Sequence, residues 1–158
     1  MANSNFEFRH AREEEQIRVM LKIQQDKVCP FCWENLEKYH PKPVLKKGIW
    51  WWLSENAWPY KGAKAHFIFF YRNHVNRLSQ INPFAFNELG ELASWAERIY
   101  NLKGYALFIR SGRMEETGSS VQHIHAQLIA GSSQQGPDSE ALKVKLGYRK
   151  KEKDELNS

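Results

Sequence analysis

The stretch Gly118-Ser119-Ser120-Val121-Gln122-His123-Ile124-His125-Ala126-Gln127-Leu128-Ile129 is the most informative in the chain. In an extended strand successive side chains face opposite ways, so His123, His125 and Gln127 share one face while Ile124, Ala126 and Leu128 share the other. The first row is polar and suited to chemistry; the second suits burial beneath a helix. Gly118, Ser119 and Ser120, just before the histidines, are small enough to let backbone N–H groups and hydroxyls approach an anion. Two histidines at this spacing are a modest signal alone, since on an arbitrary strand they are more often surface groups or metal ligands than nucleophiles.

The surrounding pattern supplies partners for that strand. Leu89, Leu92, Trp95, Ala96 and Ile99 recur at helical spacing after Asn82-Pro83, a helix start in which Asn caps free N–H groups and Pro tolerates the first turn. This predicts a long helix that ends before Gly104. Residues 49–53 and 65–71, rich in Trp, Phe and Ile, read as two antiparallel strands joined by a loop over 56–62. Residues 105–109 read as a strand, 111–120 as a polar loop and 121–130 as the histidine strand. Ile17, Met20, Leu21 and Ile23, set among Glu, Arg and Gln, predict an amphipathic helix over about residues 11–26, taken as peripheral. Pro41 and Pro43 keep the next segment from forming a long helix. After Gly131 the chain is rich in Ser, Gln and Gly, and only 141–148 has an ordered character. No internal repeat is present.

At 158 residues the chain has the length of one domain, and its 42% hydrophobic and 26% charged residues place it among globular proteins. The formal charge of +5 favours an anionic partner, for which a phosphate-bearing small molecule serves as well as a nucleic acid. Part of that excess sits at Arg149, Lys150, Lys151 and Lys153, where a solvated run is the ordinary reading. No apolar run has the length of a membrane span and no signal pattern opens the chain, so a cytoplasmic location is expected. Lys153-Asp154-Glu155-Leu156 looks like a retention signal, but Asn157 and Ser158 after it spoil a signal read at the very C-terminus. The two cysteines, Cys29 and Cys32, have a C-x-x-C spacing that by itself leaves redox and zinc chemistry both open.

The histidine strand with its Gly/Ser turn resembles the histidine triad (HIT) superfamily, over residues 29 to 131. Gln127 stands at the third triad position, which is similar to the His-x-His-x-Gln strand of galactose-1-phosphate uridylyltransferase and diadenosine tetraphosphate phosphorylase. The segment Asn56-Ala57-Trp58-Pro59-Tyr60 leading to His66 and His74 matches those relatives in order. The resemblance implies an α+β, HIT-like fold: an antiparallel sheet with a long helix packed on it, plus the N-terminal helix. Residues 1–26 would be a helical extension, 27–131 the catalytic domain and 132–158 a partly flexible tail.

It further implies a nucleotide hydrolase or nucleotidyltransferase that cleaves a nucleoside phosphate derivative at the α phosphorus, with His125 as the nucleophile of a covalent nucleotidyl-histidine intermediate. Gln127 would donate a hydrogen bond to phosphate but cannot protonate a leaving group as histidine does, so good leaving groups or transfer are expected. Ser120 and Ser119 would lie at the phosphate, His66 near the nucleotide and Asn56 at ribose hydroxyls; the ordinary alternatives are a turn role for Asn56 and a satisfied strand histidine at His66. Where relatives usually carry Asn, this chain has Arg110-Ser111-Gly112-Arg113, and Arg110 or Arg113 either pairs with phosphate or is a surface charge.

Cys29, Cys32, His74 and His123 match the relatives' closed, structural zinc site, with His40 as the competing ligand. The Trp50-Trp51-Trp52 run is read as part core and part stacking or interface surface. Relatives with this strand are mostly longer chains holding two such domains, which implies a homodimer here. The competing function is a catalytically weak nucleotide-binding, zinc-stabilised interaction module; nucleic-acid binding through the basic tail is a third and predicts strong salt dependence.

Overall fold

The computed structural model describes residues 6–151; the tail motif at 153–156 lies outside them. The helices are α1 (Glu14–Asp26), α2 (Trp33–Tyr39), α3 (Ala85–Ile99) and α4 (Met114–Thr117), and the strands are β1 (Val44–Lys47), β2 (Trp51–Glu55), β3 (Ala65–Tyr71), β4 (Ala106–Arg110) and β5 (His125–Ala130). The strands form one antiparallel sheet in the order β1-β2-β3-β5-β4.

One face of that sheet is dry. Trp51, Leu53, Phe67, Phe69, Ala126 and Leu128 alternate onto it and pack against Leu89, Leu92, Ala93 and Ala96 of α3. Each large aliphatic or aromatic side chain so buried contributes about 1.5–3 kcal/mol, which makes this layer the rigid back of whatever lies on the other face. Asn82 starts the helix as expected, its Oδ1 accepting from the Phe84 N–H at 2.9 Å. Ile99, counted with the apolar stripe, instead points to solvent beyond the last buried turn. Glu88 fastens the helix to the sheet. Its carboxylate accepts the backbone N–H groups of Ile49, Trp50 and Trp51 at 2.6, 2.7 and 2.8 Å. Gly48 is required beside it, because a Cβ there would lie 2.6 Å from the Glu88 carboxyl carbon.

The structure departs from the expected elements in four places. Strand β1 was hidden by Lys46, Lys47 and the flanking prolines; it is an edge strand, where lysines and irregular pairing are common. A single turn of helix, α4, lies within the polar loop 111–120. The histidine strand is shorter than 121–130: Val121 makes only an isolated bridge to Phe6, the His123 N–H turns back to the Val121 carbonyl, and the ladder begins at His125. Finally, α1 is not peripheral. Its Gln16, Met20 and Ile23 are buried, the latter two packing with Phe6, Cys29, Cys32 and Val121, while Ile17 and Leu21 face outward. No helix among the described residues is long and apolar enough to cross a membrane.

Candidate functional site

The face of the sheet opposite α3 is polar at its centre. Register places Phe70 and Arg110 directly across from His125 on its two neighbouring strands, and Ile68 across from Gln127. Directly opposed residues project to the same side, so Arg110, His125, Gln127 and, further along β3, His66 share one surface. All four are buried, His125 to 3% exposure and Arg110 to 4%.

Hydrogen bonds across this surface dictate where each proton sits. The Tyr60 backbone N–H donates to His66 Nδ1 at 3.2 Å, so His66 carries its proton on Nε2 and donates it to Gln127 Oε1 at 2.8 Å. That bond turns the Gln127 amide nitrogen toward His125 Nε2, 3.4 Å away. His125 in turn gives its Nδ1 proton to the carbonyl of His123 at 2.7 Å, which leaves Nε2 with an unshared pair. Burial drives the His125 pKa down to about 3, partly opposed by the bond to His123 and reinforced by the charges of Arg110 and Arg12. Burial likewise lowers His66 to about 4. At neutral pH the site therefore holds a neutral imidazole with its nucleophilic nitrogen fixed in place.

Two guanidinium groups border it. Arg110 donates to the carbonyls of Thr117 and Lys145 and to the Tyr60 hydroxyl, and its Nε has no partner. Arg12, just ahead of α1, donates to the Trp58 carbonyl and lies 4.3 Å over the Tyr60 ring. Among the described residues neither arginine pairs with a carboxylate. Burial lowers the pKa of both.

The surrounding cavity is lined by Arg12, Met20, Phe31, Trp58, Ser120 and His125, among others, and measures about 60 Å³. That is the liquid volume of two waters, at about 30 Å³ each, and far short of the roughly 300–1,000 Å³ of a ligand pocket. The N-terminal segment and the tail close it: the Glu7 N–H donates to Ser120, the Tyr148 N–H to Glu115, and His10 stacks against Tyr148 with ring centres 5.4 Å apart. Gly118 fits under the tail because it has no side chain; its φ of +72° and the Leu146 carbonyl above it both exclude a Cβ.

On the other side of the turn a second cluster forms. Cys29, Cys32, His74 and His123 bring one ligand atom each to within 4.8 Å of one another. Cys29 Sγ lies 3.4 Å and Cys32 Sγ 3.8 Å from His123 Nδ1, and Cys32 Sγ lies 3.5 Å from His74 Nδ1. Tetrahedral zinc with Zn–S of about 2.3 Å and Zn–N of about 2.0–2.1 Å requires edges of roughly 3.5 Å, so the donor set and its spacing fit that ion. The His123 Nε2 proton goes to the Tyr71 carbonyl at 2.9 Å, which turns the lone pair of Nδ1 toward the thiols. The Cys29 thiol is held well below its ordinary pKa, to about 3, by the hydrogen bond from Cys32 and by His123, against the effect of burial.

The other sequence-derived candidates are placed as follows. Asn56 is engaged in its own turn, its Oδ1 accepting from the Trp58 N–H at 2.9 Å, with its Nδ2 3.2 Å from His66. The Ser119 hydroxyl is used locally, donating to the Val121 carbonyl at 2.6 Å. Ser120 lines the cavity. His40 lies apart from the thiols, its Nε2 at 2.9 Å from the Ser54 hydroxyl and 3.0 Å from the Glu55 carbonyl. Arg113 is exposed, near Glu115 and Glu116. Trp51 is core and donates to the Ala85 carbonyl, whereas Trp52 stacks on Trp33 at 4.3 Å. Arg12 and Tyr60 went unsuspected: Arg12 belongs to a segment read as peripheral, and no local pattern marks a tyrosine that bridges two arginines and stacks on His66.

A five-stranded antiparallel sheet with one long helix behind it, and a buried nucleophilic imidazole beside a Gly/Ser turn in front, defines an α+β protein built around a histidine strand. That fold is the fold of the histidine triad proteins. A histidine triad protein from Clostridium difficile matches with a TM-score of 0.54 and 17% identity, over 71% of this chain and 96% of that one. A histidine triad nucleotide-binding protein from Candida albicans matches with a TM-score of 0.54 and 18% identity, over 82% and 90%. A zinc-bound histidine triad family protein from Mycobacterium smegmatis matches with a TM-score of 0.52 and 15% identity, over 71% and 79%. No family model and no curated protein matches the sequence.

Proposed function

We propose that this chain is a histidine triad enzyme that cleaves a nucleoside phosphate derivative at the α phosphorus through a nucleotidyl-histidine formed on His125. The observation that carries this reading is the tautomer of His125, whose Nδ1 proton is held by the His123 carbonyl at 2.7 Å so that Nε2 is free to attack. Attack forms a P–N bond as the bond from phosphorus to the leaving group breaks, and the leaving group departs with the electron pair. Gln127 donates from its amide to a phosphate oxygen, an orientation set by its acceptance from His66 at 2.8 Å. Ser120 and the turn before it face the same phosphate, with Ser119 and Asn56 shaping the wall of the site. Water or a phosphorylated acceptor then attacks phosphorus on the side opposite nitrogen, and the P–N electron pair returns to Nε2.

The cluster of Cys29, Cys32, His74 and His123 is proposed to hold zinc. Four protein donors leave no open coordination position, so the ion would tie the N-terminal knuckle to the histidine strand and take no part in the chemistry. Metal analysis of the purified protein tests this, one zinc per chain being expected and none after Cys29→Ser. A homodimer belongs to the same proposal, supported by the exposed Ile49 and Phe84 that flank the Glu88 fastening, and sedimentation reads it. The closed cavity of about 60 Å³ at His125 favours one competing reading, a nucleotide-binding module with little turnover.

Intact-protein mass spectrometry separates the two. The protein is incubated with nucleoside phosphoramidates, dinucleoside polyphosphates and nucleotide sugars and quenched at high pH, where phosphohistidine survives. A nucleotidyl adduct on His125, absent in His125→Ala and retained in Cys29→Ala, is expected. Nucleotide binding with neither adduct nor turnover sinks the enzymatic reading.

A further inference from the structure

Arg12 borders two spaces at once. It lines the cavity at His125 and also an open groove of about 1050 Å³ that runs past Tyr60 and under residues 131–145. The groove carries Lys61, Lys143 and Lys145 against Glu13 and Glu140, a net positive lining. At the boundary, the Tyr60 ring lies 4.3 Å beneath the Arg12 guanidinium while its hydroxyl accepts from Arg110 Nη2 at 3.2 Å. Arg110 is 4% exposed, its protein partners at the other nitrogens are neutral, and its Nε has none. A buried guanidinium left without a counter-charge is costly, and the fork geometry of arginine matches phosphate oxygens.

We infer that Arg12 and Arg110 form an anion subsite beside the attacked phosphorus, and that the donor is a nucleoside 5′-phosphate joined through an anhydride to at least one further phosphate. This rests on the covalent reading above and names its substrate class. The chemistry at Gln127 points the same way. When His125 Nε2 bonds to the α phosphorus of an anhydride, the P–O bond to the bridging oxygen breaks and the electron pair leaves on that oxygen, as a phosphate that needs no proton. A phosphoramidate expels nitrogen, which must be protonated as it leaves, and a glutamine has no such proton to give. The arginines neutralise the charge on the departing phosphate, and the basic groove leads it out.

The test compares two donors of one nucleoside, the 5′-phosphoramidate and the dinucleoside tetraphosphate, on the unaltered protein, Arg12→Gln and Arg110→Lys, with thermal melting to check folding. The tetraphosphate is expected to have the higher kcat/KM by about tenfold or more, and Arg12→Gln to lower it about tenfold while changing the phosphoramidate less than about threefold. Equal losses on both donors, or a preference for the phosphoramidate, overturn the subsite. Pyrophosphate titrated calorimetrically into His125→Ala reads the subsite without chemistry. Saturable binding is expected, weakened about tenfold by adding Arg12→Gln and unchanged by Lys150→Gln with Lys151→Gln. No binding, or binding lost only with the tail lysines, overturns it. If pyrophosphate binds as expected but neither donor reacts, the covalent reading fails and the subsite stands.

Discussion

His123 and His125 stand two residues apart and are used in opposite ways. His123 gives its Nε2 proton to the Tyr71 carbonyl and turns Nδ1 toward two thiols. His125 gives its Nδ1 proton to the His123 carbonyl and keeps Nε2 for the cavity with the two arginines. Which ring nitrogen is left for chemistry is therefore decided by which backbone carbonyl claims the other proton. The partners differ as well: soft donors that converge on a closed tetrahedron in one cluster, and fixed cations beside an unshared pair in the other.

The largest effect expected from breaking this contrast is at the nucleophile. His125→Ala should lower turnover by at least about 10⁴-fold, as loss of a covalent nucleophile does, while leaving metal content and melting temperature near those of the unaltered protein. Steady-state kinetics beside metal analysis reads both, and His123→Ala should show the reverse emphasis, with stability and metal lost first. Removing metal with a strong chelator, or Cys29→Ser, should cost stability on the order of several kcal/mol, seen as a shifted urea midpoint at constant slope. No change in midpoint would mean that the four donors hold nothing of structural consequence.

A smaller effect sharpens the second cluster. His66→Phe removes the donor that orients Gln127, and turnover should fall by roughly 10- to 100-fold with little change in KM, since the bond to be lost acts on phosphate in the transition state. An unaltered kcat would show that Gln127 needs no such orientation.

The gentlest probe is pH. His40 and His66 are lowered to about 4 by burial, so between pH 6.5 and 4 the unfolded chain binds protons that the folded chain does not. Their contribution is intact above pH 6.5 and is lost as pH falls, with a slope of up to about 1.4 kcal/mol per pH unit for each histidine. Urea midpoints at pH 7, 6 and 5 should fall steadily, and less steeply in His40→Gln. Equal slopes would remove His40 from the account and leave acid release of metal as the cause.

The sequence by itself determined what local spacing encodes. Alternation along 123–128 separates a reactive row from a buried one, the stripe at Leu89, Leu92 and Ala96 predicts the backing helix, and the Gly/Ser turn marks a place where the backbone is open to a ligand. These follow from periods of 2 and 3.6, which hold whatever the rest of the chain does. The gathering of Cys29, Cys32, His74 and His123 was legible only through resemblance, since 94 residues separate Cys29 from His123.

Tertiary structure alone decided the rest. Register across β4 and β5 put Arg110 opposite His125, and a shift of one residue would have sent it to the dry face. The return of the N-terminal segment brought Arg12 over Tyr60 and made a helix read as peripheral into a wall of the site. Register and return both follow from burying the whole core at once, so no window of sequence contains them.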